Sequence, residues 1–240
     1  FKAATPGTGQ NVTAAQTVAG GGAIVLDDTT NTAVALTTGA GNVNFTAGTG
    51  GITAVSVTGA TATSAELSST GSVTLNTTGG IGDSTNRVQF AATPPSSVVV
   101  GSINNPANGV FLNGLGALAL GVVTTNNAAV NVNTTGAGTL TAGGTITTGG
   151  GSVTLNSQDA LVVNNITAGG GTVALLANQD ATAAQGFSQT EATTISGTGV
   201  TVTVNAGGAG TGGAAVSTIT DAGALVITAG TTGGNITRTG

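Results

Sequence analysis

Eight carboxylates, three basic side chains and no histidine or cysteine are what this chain of 240 residues brings to chemistry. The acids are Asp27, Asp28, Glu66, Asp83, Asp159, Asp180, Glu191 and Asp221, and the bases are Lys2, Arg87 and Arg238. Without His and Cys the common nucleophilic triads and the usual zinc centres are excluded. Only Asp27 and Asp28 are adjacent, and neighbours along a strand point to opposite faces, so they do not make a catalytic pair. The glycine stretches lack the lysine of a phosphate-binding loop. The calcium-binding nonapeptide GGxGxDxUx is approached at Gly79-Gly80-Ile81-Gly82-Asp83, where the acid falls one residue early. Asp159 and Asp180 lie about one repeat apart and would stack near a corner. Weak Ca²⁺ binding is conceivable there, but the plainer reading is two solvated turn carboxylates. The chain is expected to be no enzyme and to carry no cofactor.

The elements that would position these residues are built from an unusual composition. Charged residues make up 5% of the chain, against about 25% in an ordinary soluble domain. Gly occupies 43 positions, Phe is the sole aromatic type, and Val, Ile, Leu and Ala bring the hydrophobic share to 39%. There is apolar material for a core, but few large side chains to fill one, so the core must be narrow. A net charge of −5 leaves too few cations to neutralise phosphates, which argues against nucleic acid as a partner. The longest apolar run, Leu115 to Val123, is interrupted by glycine and falls far short of the roughly 20 residues of a spanning helix. No transmembrane helix is expected. The chain opens at Phe1 with no basic segment ahead of an apolar one, which reads as a processed chain or a piece of a longer one.

Short apolar–polar alternations such as AIVL (23–26), NVNF (42–45), SVTL (72–75), SVTL (152–155) and TVALL (172–176) are strand signals, separated by GG, TGG and AGGG turns. GGGSVTL (149–155) and GGGTVAL (169–175) repeat one phrase twenty residues apart. In that register Ile146 falls on Ile166, Val153 on Val173 and Leu155 on Leu175, and these six are the expected stacked core. The reading is an all-β chain, a parallel β-helix of roughly 20-residue coils, each strand pairing with its copy about 4.8 Å along the axis. It predicts one array over 1–240, with about 12 coils and a rod near 55–60 Å. Pro94, Pro95 and Pro106 cannot donate to a ladder and place a seam or loop excursion at 93–108. An apolar pair followed by Asn recurs at Asn76, Asn133, Asn156 and Asn205, the expected corner residues, because Asn tolerates the left-handed conformation and can stack as an amide ladder.

Two surface patterns carry less. Sequons occur at Asn11, Asn44, Asn76, Asn133, Asn165 and Asn235, a number that this Thr- and Asn-rich composition supplies by chance. Thr145 and Thr147 of the Thr-x-Thr pairs fall on Asn165 and Thr167 one repeat later, so a flat ice-matching threonine array is broken.

GSVTLNTTGGIGDSTNRVQF (71–90), the stretch 109–155 and ALVVNNITAGGG (160–171) resemble bacterial β-strand-repeat exoproteins. These are similar to the filamentous-haemagglutinin-like, two-partner-secreted adhesins. The resemblance covers most of the chain and implies a right-handed parallel β-helix that forms long extracellular rods at the bacterial cell surface. The Asn-Pro-Asn-Gly turn of that family's secretion domain has only a loose echo at Asn105-Pro106-Ala107-Asn108-Gly109, mid-chain and with an inserted Ala. The expected function is a structural one: an extracellular fibre or shaft subunit in an adhesin, sheath or matrix filament. Neither end carries a charged or amphipathic cap, so its expected partner is itself, or neighbouring repeats of a longer chain. The competing expectation is a binding module that recognises carbohydrate or another cell surface through one face of the β-helix.

Overall fold

Strands whose residues alternate in and out bury a full apolar set only if every turn of the chain repeats the same register. The computed structural model, which describes residues 11–15, 21–27, 36–55, 65–182, 185–205, 212–230 and 234–238, shows this arrangement. Among the described residues the regular structure is all strand, in one 21-stranded sheet and one two-stranded sheet, with parallel pairing between successive turns. Parallel neighbours cannot be joined by a hairpin. The chain therefore travels around a core before it pairs with itself, and the result is a parallel β-helix.

One column of inward residues runs Ile24, Ile52, Ile81, Val110, Val130, Val153, Val173, Val200 and Leu225, each on the next. A second runs Val43, Val73, Val98, Leu120, Ala142 and Val163. A third runs Val100, Val123, Ile146, Ile166, Ile195 and Ile219. Ile146 pairs with Ile166, Val153 with Val173 and Leu155 with Leu175, and none of the six is more than 1% exposed.

The first column counts nine rungs among the described residues, which occupy about 43 Å at roughly 4.8 Å per rung. The described rungs are fewer than a uniform 20-residue coil would give, because several circuits are longer than 20 residues. The 20-residue period holds from Ser152 to Thr172, but the same step takes 31 residues from Asn11 to Asn42, 30 from Asn42 to Ser72 and 27 from Asn178 to Asn205. The narrow turns arise where two strands merge. Ile81 and Val88–Phe90 are separated by an excursion through Asp83–Arg87, whereas the next turn runs straight through as Val110–Gly114 and pairs with both.

The proline-rich stretch 93–108 also differs from its expectation. Ser97–Val100 within it is a strand, paired with Ser72–Leu75 on one side and reaching Leu120 and Val123 on the other, with Val98 and Val100 fully buried. The excursions are the loops on either side of it, and the ladder runs on without a seam.

Candidate functional site

The strand ends are where the sequence reading of the asparagines is corrected. The expected left-handed corners Asn76, Asn133, Asn156 and Asn205 do not have positive φ; Asn127 (φ 60°) and Asn178 (φ 55°) do. Asn76 is buried near the end of its strand, where Oδ1 accepts from Ser102 Oγ (3.1 Å) and Ile103 N (3.0 Å). Asn205 follows its strand and its carbonyl accepts from Asn178 Nδ2. The corners are made instead by buried hydroxyls. Thr38, Thr125, Thr148 and Ser157 each donate to the carbonyl three residues on, Gly41, Ala128, Gly151 and Ala160. A small hydroxyl satisfies a turn carbonyl inside the core at little volume, whereas an amide needs more room and more partners. The signal was in the sequence, as Ser or Thr three residues before Gly or Ala at the end of an alternating run.

Four of the acids, Asp83, Asp159, Asp180 and Glu66, accept bonds from the backbone, each at a separate place. Asp83 Oδ1 accepts from Thr85 N and Asn86 N at 2.7 Å, and its bond from Asn86 holds the carboxyl below the ordinary aspartate range. Asp159 accepts from the backbone of Gly138 one rung away, and Asp180 from Thr182 N and Oγ1. The two candidate calcium ligands are therefore each engaged separately. Glu66 is fully buried and accepts from Gln89 N at 2.6 Å. Asp28 lies outside the described residues. Among the described residues no cluster of three or more metal-ligating side chains occurs, and no helix is long and apolar enough to cross a membrane.

One outward face collects the side chains that are unusual for this chain. By strand alternation Phe111 and Asn113 face away from Val110 and Leu112. The parallel register sets Asn131 and Asn133 below them, then Thr154 and Asn156, and places Gln89 above Asn113. Asn133 thus lies between Asn113 and Asn156 in one amide column, although within strands and not at corners. Arg87, at the end of the excursion, lays its guanidinium 5.7 Å from the Phe111 ring centroid. Its Nη1 donates to the carbonyls of Leu112 (3.3 Å) and Asn131 (3.2 Å), on two successive rungs. Neither acceptor is a carboxylate, so the charge is not neutralised by these bonds, and burial pushes the Arg87 pKa down. Asn113 Nδ2 reaches Thr135 Oγ1 at 3.2 Å and Gln89 Oε1 at 3.5 Å. The Oδ1 atoms of Asn113, Asn131 and Asn156 are buried and accept no hydrogen bond, a cost of about 1–3 kcal/mol each. Sequence reading missed this face because Arg87 and Phe111 meet only through the register of two turns.

The two ends of the stack differ. In the first described rung Ile24, Leu26 and Leu36 are no more than 5% exposed, while Val12 and Ala14 are half-buried. In the last, Leu225 is 49% and Ile236 54% exposed. The outer strand there, Thr218–Thr228, carries a single carboxylate and neither Lys nor Pro, the devices that usually blunt an edge.

No family model matches the chain, and no curated protein or solved structure matches it either. What the ends and the amide face do rests on their own geometry.

Proposed function

We propose that this chain is a non-catalytic shaft element of an extracellular filament or adhesin at a bacterial cell surface, extended by end-on stacking of rungs. The observation that carries the reading is the stacking of inward columns, two of which run on to the last rung and leave apolar side chains uncovered there. A further parallel rung, from a second copy or from neighbouring repeats of a longer chain, would pair with Thr218–Thr228 and cover Leu225. The mechanism is mechanical: the ladder bonds run along the axis, so tension on the rod loads many of them together. The composition supports an exposed setting, because Cys and Met are absent and three basic residues leave few tryptic sites. Backbone bonding of Asp83, Asp159 and Asp180 supports the absence of catalysis.

Electron microscopy of the purified protein over a range of concentrations tests the reading. Filaments with an axial spacing near 4.8 Å and a subunit repeat of about 43 Å are expected. Discrete short rods at every concentration would overturn self-assembly.

A further inference from the structure

We propose that the outward face made by Arg87, Phe111, Asn113, Asn131, Asn133 and Asn156 binds an acidic oligosaccharide laid along the rod axis, with one uronate carboxylate on Arg87 and sugar hydroxyls on the amides. Three features of the face point to this class of ligand. The first is the cation. Arg87 spends Nη1 on two backbone carbonyls, which leaves about three of its five N–H donors for an anion and fixes the direction in which they point. A carboxylate is the planar anion that matches the remaining fork.

The second feature is the aromatic ring under that cation. Phe111 is half-buried with the guanidinium over its ring, so what it leaves exposed is apolar carbon beside a charge that holds a sugar carboxylate.

The third feature is periodicity. Asn113, Asn133 and Asn156 present the same side chain on three successive rungs, about 4.8 Å apart. This spacing is comparable to that of successive sugar rings in an extended polysaccharide. Oδ1 of Asn131 and of Asn156 accepts nothing within the protein, so turning either amide about its broad terminal torsion sacrifices no bond at oxygen. The turned oxygens accept from sugar hydroxyls. The pattern stops one rung on, where Leu176 follows Asn156 and Ala174 follows Thr154. The site therefore has a defined end, which a merely solvated polar face does not need.

Isothermal titration of the full chain with a galacturonic acid hexamer tests the proposal, with neutral cellohexaose as the control. The acidic hexamer is expected to bind saturably, about tenfold or more tighter than the neutral one, and to weaken as salt is added. Arg87→Gln is expected to abolish that preference. Because Arg87 also bridges two rungs, two substitutions that the register already accommodates are tested beside it. Asn131→Thr copies Thr154 and Asn156→Leu copies Leu176. Each is expected to lower affinity about tenfold without lowering the melting temperature, because each also removes a buried unpaired oxygen. Absence of saturable binding, equal binding of the two hexamers, or unchanged affinity in the Asn131→Thr and Asn156→Leu variants would each overturn the proposal.

Discussion

The first turns of the rod and its middle turns are the same fold at two widths. Near the start, one circuit takes 31 and then 30 residues, and Phe45 lies fully buried in the core. In the middle, a circuit takes 20 to 23 residues, and the inward positions are Val110, Leu112, Val130, Val132, Val153, Leu155, Val173 and Leu175. The phenylalanine of that stretch, Phe111, is turned outward. Where the circuit widens again to 27 residues, Phe187 returns to the core at 2% exposure, stacked on Leu161. A close-packed interior has to be filled at each cross-section. Phe45 and Phe187 therefore fill wide sections, whereas Phe90 is buried where a circuit takes 23 residues, so width favours a core aromatic without being required for one.

The most severe way to break this comparison is to empty a wide section. Phe45→Ala is expected to cost about 3–5 kcal/mol, read as a lower midpoint in urea unfolding. The reciprocal change overfills a narrow section: Leu155→Phe is expected to cost about 1–3 kcal/mol, by the same measurement. If Leu155→Phe proved neutral, width would not be what excludes aromatics from the middle.

The turns sharpen the same contrast. Gly171 stacks on Gly151 so closely that an added Cβ would overlap the Gly151 carbonyl, while a Cβ at Gly170 meets nothing. Gly171→Ala is therefore expected to destabilise by about 1–3 kcal/mol. Gly170→Ala is expected to be neutral or to stabilise by about 0.4–1 kcal/mol through the unfolded chain. Thermal melts of the pair would show whether narrow turns depend on glycine in direct rung-to-rung contact.

The smallest effect concerns the excursion that ends the wide section. The folded pKa of Asp83 is depressed by its backbone bonds. Its contribution is thus present above the unfolded value of about 3.9 and is lost as pH falls through the folded value. Asp83→Asn is expected to remove this shallow acid-side step, measured by melting wild type and variant between neutral and strongly acidic pH.

Much of the architecture was legible without coordinates. The GGG-x-V-x-L phrase names its own partner, and Ile146, Val153 and Leu155 stack on Ile166, Val173 and Leu175 as the repeat requires. The asparagines were misread because Asn is a good left-handed residue in isolation, while at these corners core volume favours Thr and Ser. The prolines misled in a similar way. They mark the loops beside Ser97–Val100, yet Val98 and Val100 belong to columns whose other members are more than twenty residues away.

The sequence by itself determined that the regular elements among the described residues are strands, that the turns stack in parallel, and which strand side chains face inward. These follow from local alternation and from an explicit repeat, both of which survive in any fold that buries one face. Only the tertiary structure decided the number of rungs, the width of each turn, the open last edge, and the meeting of Arg87 with Phe111 and the Asn131 carbonyl. These depend on how many residues each circuit spends outside the ladder, which local alternation does not reveal.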